Sequence, residues 1–472
     1  MKTANRERSL GRRVPVTAIV AGVVLAGAGT LAAFEGAAVP SVDPGGRSVA
    51  APVPAALPPM PAVEENRRIS DYQPGAYWTH TFSSGGHNVA VYQSTIYAAW
   101  YDVRRGNADV YITRSTDGGK TFGTNHRVND DRATAVQYKP SIGVDRDGVL
   151  YVVWRDGRNG NADIFFAKST DGGESFSKNI RLNDDRGVAY QGNPAIAVDP
   201  SGTLYVVWSD NRDGNDDIYF TISHDKGESF APNFRLNDDR QKAPQSHPTI
   251  ALGPKGELYV AWEDYRNQQS DIYFTRSTDG GKSFSTNIRI NDDGGNAPQI
   301  SPSITVAGLG VVLLAWADFR NGSVTLPPPT PATGEQYRWE LARQGNGDIY
   351  VARSSDGGAT FSANRRINDD NGSAPQAFPS LTANEQGRVT LAWEDYREGR
   401  AQIYMVKSAD AGVAFTSNFK VNDDGTNQAG HFHPSVTEDP QGRSYVIWTD
   451  ERNNRFSAHG EEGNDVYFAR LF

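Results

Sequence analysis

The 472-residue chain contains no cysteine. This absence excludes disulfide bonds, thiolate metal sites, a cysteine nucleophile and a lipidated N-terminal cysteine. The chain also lacks an excess of basic residues, because 47 Lys and Arg stand against 56 Asp and Glu, for a formal net charge of −9. Too few cations remain to neutralise phosphates, which argues against a nucleic-acid partner.

The chain does have an ordinary apolar content and many tryptophans. Hydrophobic residues make up 38% of the sequence, which is enough for a large core and excludes a chain that is disordered overall. Length alone suggests about three domains of roughly 150 residues each. Nine tryptophans are present, and their placement leads to a different and more specific prediction.

The N-terminus has the composition of an export signal. Residues 1–13 carry five basic residues and one acidic residue, and residues 14–34 carry no charge. This pattern indicates a signal peptide or a retained signal anchor over residues 1–36, and both alternatives stay open. Residues 37–65 are rich in Pro and Ala and predict an extended linker. We therefore expect an extracytoplasmic protein, which contacts a membrane only through its N-terminal segment if that segment is not cleaved.

A repeat of about 54 residues organises the rest of the chain. Seven of the nine tryptophans begin the motif Trp-x-Asp-x-Arg; the first five copies are 54 residues apart, the next step is 77 and the last is 55. Such a nearly fixed period is typical of a repeat architecture. The copies are 100–104, 154–158, 208–212, 262–266, 316–320, 393–397 and 448–452.

Each repeat predicts four short strands that are rich in β-branched and aromatic residues and bounded by turn residues. The second strand, for example 204–208, is a continuous apolar run that indicates burial on both faces. Four-stranded units repeated radially predict an all-β, seven-bladed β-propeller over residues 66–472. The chain ends on a third strand, and residues 66–71 resemble the fourth-strand segment 364–369. We therefore expect the N-terminal strand to close the ring by pairing with the C-terminal blade.

Six turns between third and fourth strands share the sequence Ser-x-Asp-x-Gly-x-x-Phe. The aspartate can accept hydrogen bonds from backbone N–H groups of its own turn, and the glycine is expected where φ must be positive. Lys226 and Ala411 replace a glycine at the preceding position, which predicts a less demanding backbone there. The six aspartates, for which we predict a structural role, are Asp117, Asp171, Asp225, Asp279, Asp356 and Asp410.

This turn motif resembles the Asp-box, or BNR repeat, of sialidases and related propellers, and the resemblance covers about residues 66–472. It implies that the Asp-box turns lie on the face away from an active site; we call the opposite face the loop face. Sialidases usually have six blades and use three arginines, a tyrosine nucleophile with a glutamate partner, and an aspartate acid/base. An Arg-Ile-Pro motif marks their first arginine. Residues 68–70 read Arg-Ile-Ser instead, at an ordinary repeat position, so no catalytic residue is transferred.

The polar motifs that recur in every repeat predict structure rather than chemistry. Asp and Arg two positions apart in each blade predict ion pairs and turn hydrogen bonds, because a catalytic site needs distinct groups with separated pKa values. Asn-Asp-Asp runs begin at 129, 183, 237, 291, 368 and 422. They favour turn chemistry, and their oxygen-rich loops leave Ca²⁺ as an alternative, although none has the spacing of an established calcium motif. We expect no other cofactor.

Function is expected where the repeats break. The largest break is an insertion of 23 residues (77 − 54) between positions 320 and 348, which should project over the loop face. Its aromatic and charged residues suit sugar or peptide binding, and a lid that packs on a neighbouring loop is the alternative. The candidates are Tyr337, Arg338, Trp339, Glu340 and Arg343.

Two blades carry a second kind of candidate within the tryptophan motif. Glu263 and Tyr265 occupy its variable positions in the fourth copy, and Glu394 and Tyr396 occupy them in the sixth. A glutamate beside a tyrosine is what a sialidase-like nucleophile would need. The spacing does not show that either pair meets.

Two smaller breaks near the C-terminus contain histidines and carboxylates. If these side chains converged they would make a metal site, and surface polar residues are the favoured alternative, so no metal is predicted. The residues are His431, His459, Glu461 and Glu462.

Three functions are consistent with the sequence. The leading hypothesis is an exported monomer that binds a glycan or protein ligand on its loop face without catalysis. The alternatives are an exo-sialidase-type glycoside hydrolase and a scaffold in the cell envelope. The missing Arg-Ile-Pro motif and the lack of a distinct arginine triad favour binding over hydrolysis.

Overall fold

A computed structural model describes residues 62–472 except 83–84, 133, 241, 296, 323–333, 426–427 and 455–462, and except the side chains of residues 334–337. The predicted signal or anchor and most of the predicted linker, to residue 61, lie outside the described residues. The described part consists of strands and one helix.

The first fourteen strands are β1 (Arg67–Arg68), β2 (Thr79–His80), β3 (Val89–Tyr92), β4 (Thr95–Asp102), β5 (Asp109–Ser115), β6 (His126–Arg127), β7 (Gln137–Val144), β8 (Leu150–Asp156), β9 (Asp163–Ser169), β10 (Ile180–Arg181), β11 (Gln191–Val198), β12 (Leu204–Asp210), β13 (Asp217–Ser223) and β14 (Phe234–Arg235). The remaining elements are β15 (Gln245–Leu252), β16 (Leu258–Asn267), β17 (Gln269–Ser277), β18 (Ile288–Arg289), β19 (Gln299–Ala307), β20 (Val311–Asp318), α1 (Gly334–Gln344), β21 (Asp348–Ser354), β22 (Arg365–Arg366), β23 (Gln376–Ala383), β24 (Val389–Asp395), β25 (Gln402–Ser408), β26 (Phe419–Lys420), β27 (His431–Glu438), β28 (Ser444–Asp450) and β29 (Asp465–Leu471).

These strands form seven antiparallel sheets, one for each copy of the tryptophan motif, and the prediction of a seven-bladed propeller is confirmed. We number the blades 1 to 7 from Trp100 to Trp448. The first strands of neighbouring blades contact one another and surround a central channel, so they are the innermost strands. Blade 1 differs from the others, because two short strands, β2 and β3, replace its single first strand.

The ring closes as the sequence predicts. Strand β1 pairs antiparallel with β29, with Arg67 opposite Phe468 and Arg68 opposite Tyr467. A further bridge joins Val63 to Leu471. The N-terminal segment therefore supplies the outermost strand of blade 7, and the third strand of that blade gains a partner instead of an open edge.

The seven motif tryptophans form the centre of the core. All seven side chains are fully buried. Trp208, for example, belongs to one apolar cluster with Tyr151 and Phe166 of the preceding blade. The sheets thus stack face to face through these rings, which explains the continuous apolar run of each second strand. Replacing one such tryptophan by alanine would cost about 3–5 kcal/mol.

The Asp-box turns close the blades at the face opposite the loop face. In the second turn, the Asp171 carboxylate accepts hydrogen bonds from the Ser175 backbone N–H (3.0 Å) and hydroxyl (2.5 Å), and from the Ser169 hydroxyl (2.7 Å). The hydroxyl and backbone bonds from Ser175 lower the pKa of Asp171. Lys226 and Ala411 have φ values of 56° and 55°. The glycine after each of them has a φ of 81°, outside the narrow left-handed region that other residues adopt, so the position of Lys226 and Ala411 is the less demanding of the two, as predicted.

Candidate functional site

The arginines of the tryptophan motif are all held in ion pairs. In blade 3, Trp208 Nε1 donates to Asp210 Oδ2 (2.9 Å), and Arg212 Nη2 donates to the same oxygen (2.7 Å). Arg212 Nη1 donates to Asp184 Oδ1 (2.6 Å), which belongs to the preceding Asn-Asp-Asp run. The same pairing occurs in five of the other blades. In blade 1, Asp71 of the N-terminal segment takes the place of the Asn-Asp-Asp aspartate. These two motifs therefore fix the loops of adjacent blades, and these seven arginines do not supply an arginine clamp for a ligand.

A ring of six unusual residues surrounds the loop-face end of the central channel. Each lies at a β-bulge in a first strand, immediately precedes a proline, and has a φ between 50° and 59°. Positive φ is uncommon for residues other than glycine, and such residues concentrate at functional sites. The ring residues are Lys139, Asn193, His247, Ser301, Phe378 and His433. The six side chains include a lysine, an asparagine, two histidines, a serine and a phenylalanine, so the ring is not chemically uniform.

Blade 1 contributes an aromatic ring, that of Phe82, to the centre of this ring of residues. The chain between β2 and β3 places the Phe82 ring against Phe378 (5.7 Å between centroids) and His433 (4.7 Å). Lys139 lies over the same ring, with its Nζ 5.0 Å from the centroid. Phe82 therefore closes the channel at this level, and a ligand on the loop face would meet a floor rather than an open hole.

Helix α1, from the 23-residue insertion, packs over one side of the ring. Trp339 contacts His433 edge-on, with ring centroids 4.7 Å apart. Arg343, one turn later, lies over the Trp339 ring at 5.5 Å. The buried Leu341 and Ala342 anchor the helix to the blades beneath it. Helix α1 thus forms a wall of the site on the loop face.

The helix and the neighbouring loops enclose a pocket of about 710 Å³ on the loop face. Four of its side chains are partly exposed aromatic rings, and one cation and one carboxylate accompany them. The residues that line it, which together we call the loop-face pocket, are Trp78, His80, Val103, Tyr138, Trp339, Arg343, Phe432, Glu451 and Asn464.

Glu394 lies in the protein immediately beside this pocket. Its Oε2 accepts a hydrogen bond from the Tyr396 hydroxyl (3.2 Å), and its Oε1 accepts one from the His433 backbone N–H (2.7 Å). Burial raises the pKa of Glu394 to about 8, against the smaller lowering by these hydrogen bonds and by Arg343. The carboxyl group is therefore mostly protonated at neutral pH, as a general acid would be.

Glu263 occupies the same motif position in blade 4 but has different neighbours. Tyr265 Oη lies 3.4 Å from its Oε2, and Arg338 Nη2 lies 3.0 Å from its Oε1. His247 Nδ1 lies 3.3 Å from Oε2. Burial alone would raise the pKa of Glu263, but Arg338 and His247 outweigh it, and the pKa is lowered. One motif thus holds a charged carboxylate in blade 4 and a protonated one in blade 6.

The remaining predicted residues divide between the pocket, the interior and the undescribed parts. Trp339 and Arg343 line the pocket, Glu340 is partly buried on the same helix, and Arg338 is buried beneath it. The side chain of Tyr337 lies outside the described residues.

His431 begins the first strand of blade 7, at the position where five other blades have glutamine. Its Nε2 lies 3.3 Å from Asp424 Oδ1 and 3.4 Å from Asp450 Oδ2. The described part of the chain contains no group of three His, Asp or Glu side chains arranged to hold a metal ion. The other members of the considered metal cluster lie outside that part. They are His459, Glu461 and Glu462.

Sequence reasoning did not identify the ring or most of the pocket. His80 and Tyr138 lie in the inner strands β2 and β7, and Trp78 immediately precedes β2, where nothing in the repeat singles them out. The ring did leave a signal, because a proline recurs at one position in six of the repeats and five residue types precede it. Across residues 62–472, apart from the gaps noted above, no helix has the length and apolarity to span a bilayer.

Comparisons with known proteins agree with this architecture. Residues 95–315 match the family model described as BNR repeat-containing family member. No curated protein matches the chain. A PL25 polysaccharide lyase, an ulvanlyase bound to -[GlcA(1-4)Rha3S]-, is a similar solved structure, with 11% identity over 85% of this chain and 95% of that chain and a TM-score of 0.58.

Two further solved structures are similar at lower TM-scores. The GH93 α-L-arabinofuranosidase of Fusarium graminearum is 16% identical over 70% of this chain and 91% of that chain, with a TM-score of 0.48. The Hadza microbial sialidase Hz136 is 18% identical over 68% of this chain and 63% of that chain, with a TM-score of 0.46. At these identities the likeness shows the fold alone.

Proposed function

Because the protein is a BNR-repeat, sialidase-like β-propeller, we propose that its loop-face pocket binds a glycan. One observation carries this proposal: aromatic rings and charged groups converge in a single pocket of about 710 Å³ on that face. Ligand pockets typically have several hundred cubic ångströms and combine apolar walls with a few polar groups. A pocket of this size accommodates a short oligosaccharide.

The side chains suit a sugar better than an apolar ligand. Trp78, Trp339 and Phe432 are partly exposed, so their faces can cover the C–H surface of a sugar ring. Arg343 and Glu451 bring donors and acceptors for its hydroxyl groups. The PL25 ulvanlyase, similar in fold, is bound to a -[GlcA(1-4)Rha3S]- glycan. That ligand supports the choice of glycans, including acidic ones, as the first probes.

A glycan array followed by calorimetry tests the proposal. The purified protein should bind a restricted group of oligosaccharides, and Trp339→Ala should weaken the binding by roughly tenfold or more, as at a buried aromatic hot spot. Gln344→Ala, an exposed position on the same helix, is the matched control and should leave the affinity unchanged. A glycan array on which the protein binds no oligosaccharide would contradict the proposal.

Cleavage of the bound glycan is a second candidate, because Glu394 and Tyr396 form a glutamate–tyrosine pair beside the pocket. Their contact matches the pair that the resemblance to sialidases implies, and Glu394 must be ionised to accept the proton of the tyrosine. The test is a fluorogenic sialoside, followed by the glycans selected on the array. Turnover that is lost in Tyr396→Phe and Glu394→Gln, while binding remains, would support a glycosidase. Binding without turnover supports the leading proposal, and the absence of both supports an envelope scaffold.

We further propose that the protein acts outside the cytoplasm as a monomer. The basic residues 1–13 and the uncharged run 14–34 support export. Cell fractionation with N-terminal sequencing of the recovered protein would distinguish a cleaved signal peptide from a retained anchor. Recovery of the uncleaved chain in the cytoplasm would contradict export.

A further inference from the structure

A second, narrower cavity of about 40 Å³ lies at the centre of the ring, below helix α1. It is separate from the proposed glycan pocket and is lined by side chains from blades 1, 5, 6 and 7 and from the helix. The lining residues that matter here are Phe82, Ser301, Ser303, Arg338, Phe378 and Ser380.

Arg338 lines this cavity, and two of its nitrogen atoms have no hydrogen-bond partner within the described structure. Its side chain is 2% exposed, and only Nη2 has partners: Glu263 Oε1 at 3.0 Å and Ser301 Oγ at 2.7 Å. Its Nε and Nη1 have no hydrogen-bond partner among the described residues. The guanidinium carbon lies 5.7 Å and 5.8 Å from the centroids of the Phe82 and Phe378 rings. Those rings attract a cation but do not accept its N–H bonds, and an unsatisfied buried donor is costly.

Two serine hydroxyls add donors to the same cavity. Ser303 Oγ accepts the Leu381 backbone N–H (3.0 Å), and Ser380 Oγ accepts the Val436 backbone N–H (3.1 Å). Neither hydroxyl donates a hydrogen bond to an acceptor in the described part of the chain, so the O–H donor of each serine stays available to a ligand. Arginine is a donor only, and both serines already accept a bond. Three side chains that line the cavity, Arg338, Ser303 and Ser380, therefore carry unused hydrogen-bond donors.

We propose that this cavity binds a small monovalent anion of about the size of chloride. A water molecule can accept only two hydrogen bonds, whereas an anion can accept all of the N–H and O–H groups that converge here. A cavity volume of about 10–15 Å³ is enough to hold one water molecule. The cavity here, at about 40 Å³, therefore accommodates a chloride ion and excludes a sugar ring.

Crystals of the wild-type protein grown or soaked in bromide test the proposal directly. We expect an anomalous peak within about 3.5 Å of Arg338 Nε or Nη1 and near the hydroxyls of Ser303 and Ser380. The absence of an anomalous peak in the cavity at roughly 200 mM bromide, which is near physiological ionic strength, would overturn the proposal. This measurement needs no variant and does not depend on glycan binding.

Thermal unfolding in chloride and in gluconate at equal ionic strength gives the solution test. The wild type should show a saturable rise in unfolding temperature with chloride, by roughly 1–3 °C at ten times the dissociation constant. The double variant Arg338→Met/Glu263→Gln, which leaves no unpaired buried charge, should lose this rise. Arg132→Met, which removes an exposed cation elsewhere, should keep it. An equal rise in all three proteins would show a general salt effect and overturn the site.

Discussion

The Nδ1 atoms of His80 and His433 lie 3.4 Å apart beside the loop-face pocket, although 353 positions separate the two residues in the chain. His433 Nε2 lies 3.6 Å from Glu394 Oε1. Blades 1, 7 and 6 thus each contribute one titratable group to a single wall. Two imidazole nitrogens at this distance cannot both carry a proton, so at least one of them acts as an acceptor.

The first prediction concerns the titration of His80. Burial, with a smaller contribution from Arg343, lowers the pKa of His80 to about 4. The folded protein then binds no proton at this residue between pH 6.5 and about 4, whereas the unfolded chain does, so this contribution to stability is lost as pH falls through that range. Imidazole NMR signals should show a neutral His80 at pH 5.5. A charged His80 at that pH would contradict the packing described for this wall.

Glu394 should make the folded protein less stable as pH rises, whereas His80 makes it less stable as pH falls. Because its pKa is raised to about 8, the folded protein keeps a proton that the unfolded chain loses above about 4.5, and stability falls as pH rises toward 8. The slope is at most about 1.4 kcal/mol per pH unit. Glu394→Gln should remove it when denaturant unfolding is measured between pH 6 and 9.

Glu385→Gln, at an exposed position, is the control for this measurement and should retain the wild-type slope. Parallel curves for the wild type and Glu394→Gln would show that Glu394 is already ionised at neutral pH.

The pair formed by Arg338 and Glu263 gives a third prediction. Arg338→Met should destabilise the protein by about 3–5 kcal/mol, because it leaves a fully buried carboxylate without its cation. Adding Glu263→Gln should restore much of this loss, since the amide oxygen can still accept the Ser301 backbone N–H. Chemical denaturation of both single variants and the double variant measures the coupling. Strict additivity would mean that the two charges do not interact.

The Asp-box turns should affect stability and leave ligand binding intact. Asp171→Asn weakens the hydrogen bonds from Ser175 and should lower the unfolding temperature. Because the pKa of Asp171 is lowered, its contribution is present above the pKa of about 3.8 of the unfolded chain and lost as pH falls below it. Affinity for a glycan should stay unchanged, since this turn lies on the opposite face. A large loss of affinity would contradict the assignment of the faces.

The propeller could be predicted from the sequence because the same constraints recur in each repeat. Every blade must bury one tryptophan and end its second strand on an ion pair, and six of the seven blades turn through an Asp-box, so these demands leave a periodic pattern. The closing strand was predictable for the same reason, since the segment at 66–71 repeats the pattern of 364–369. The seven sheets confirm the propeller, and the pairing of β1 with β29 confirms the closure.

The site was only partly predictable because it consists of the positions that do not repeat. The insertion pointed to Trp339 and Arg343, but the turn of helix α1 that sends Arg338 inward depends on its packing. The contact between His80 and His433 arises from ring closure, which joins distant parts of the chain. The environments that separate Glu263 from Glu394 are likewise contributed by neighbouring blades, and a motif within one blade contains no information about them.

The crystal structure of the protein with an oligosaccharide selected on the array is the most direct test of the central claim. We predict that a sugar ring lies in the loop-face pocket against Trp339, within reach of Arg343. A glycan bound at the Asp-box face, or in the apolar channel below Phe82, would contradict this account.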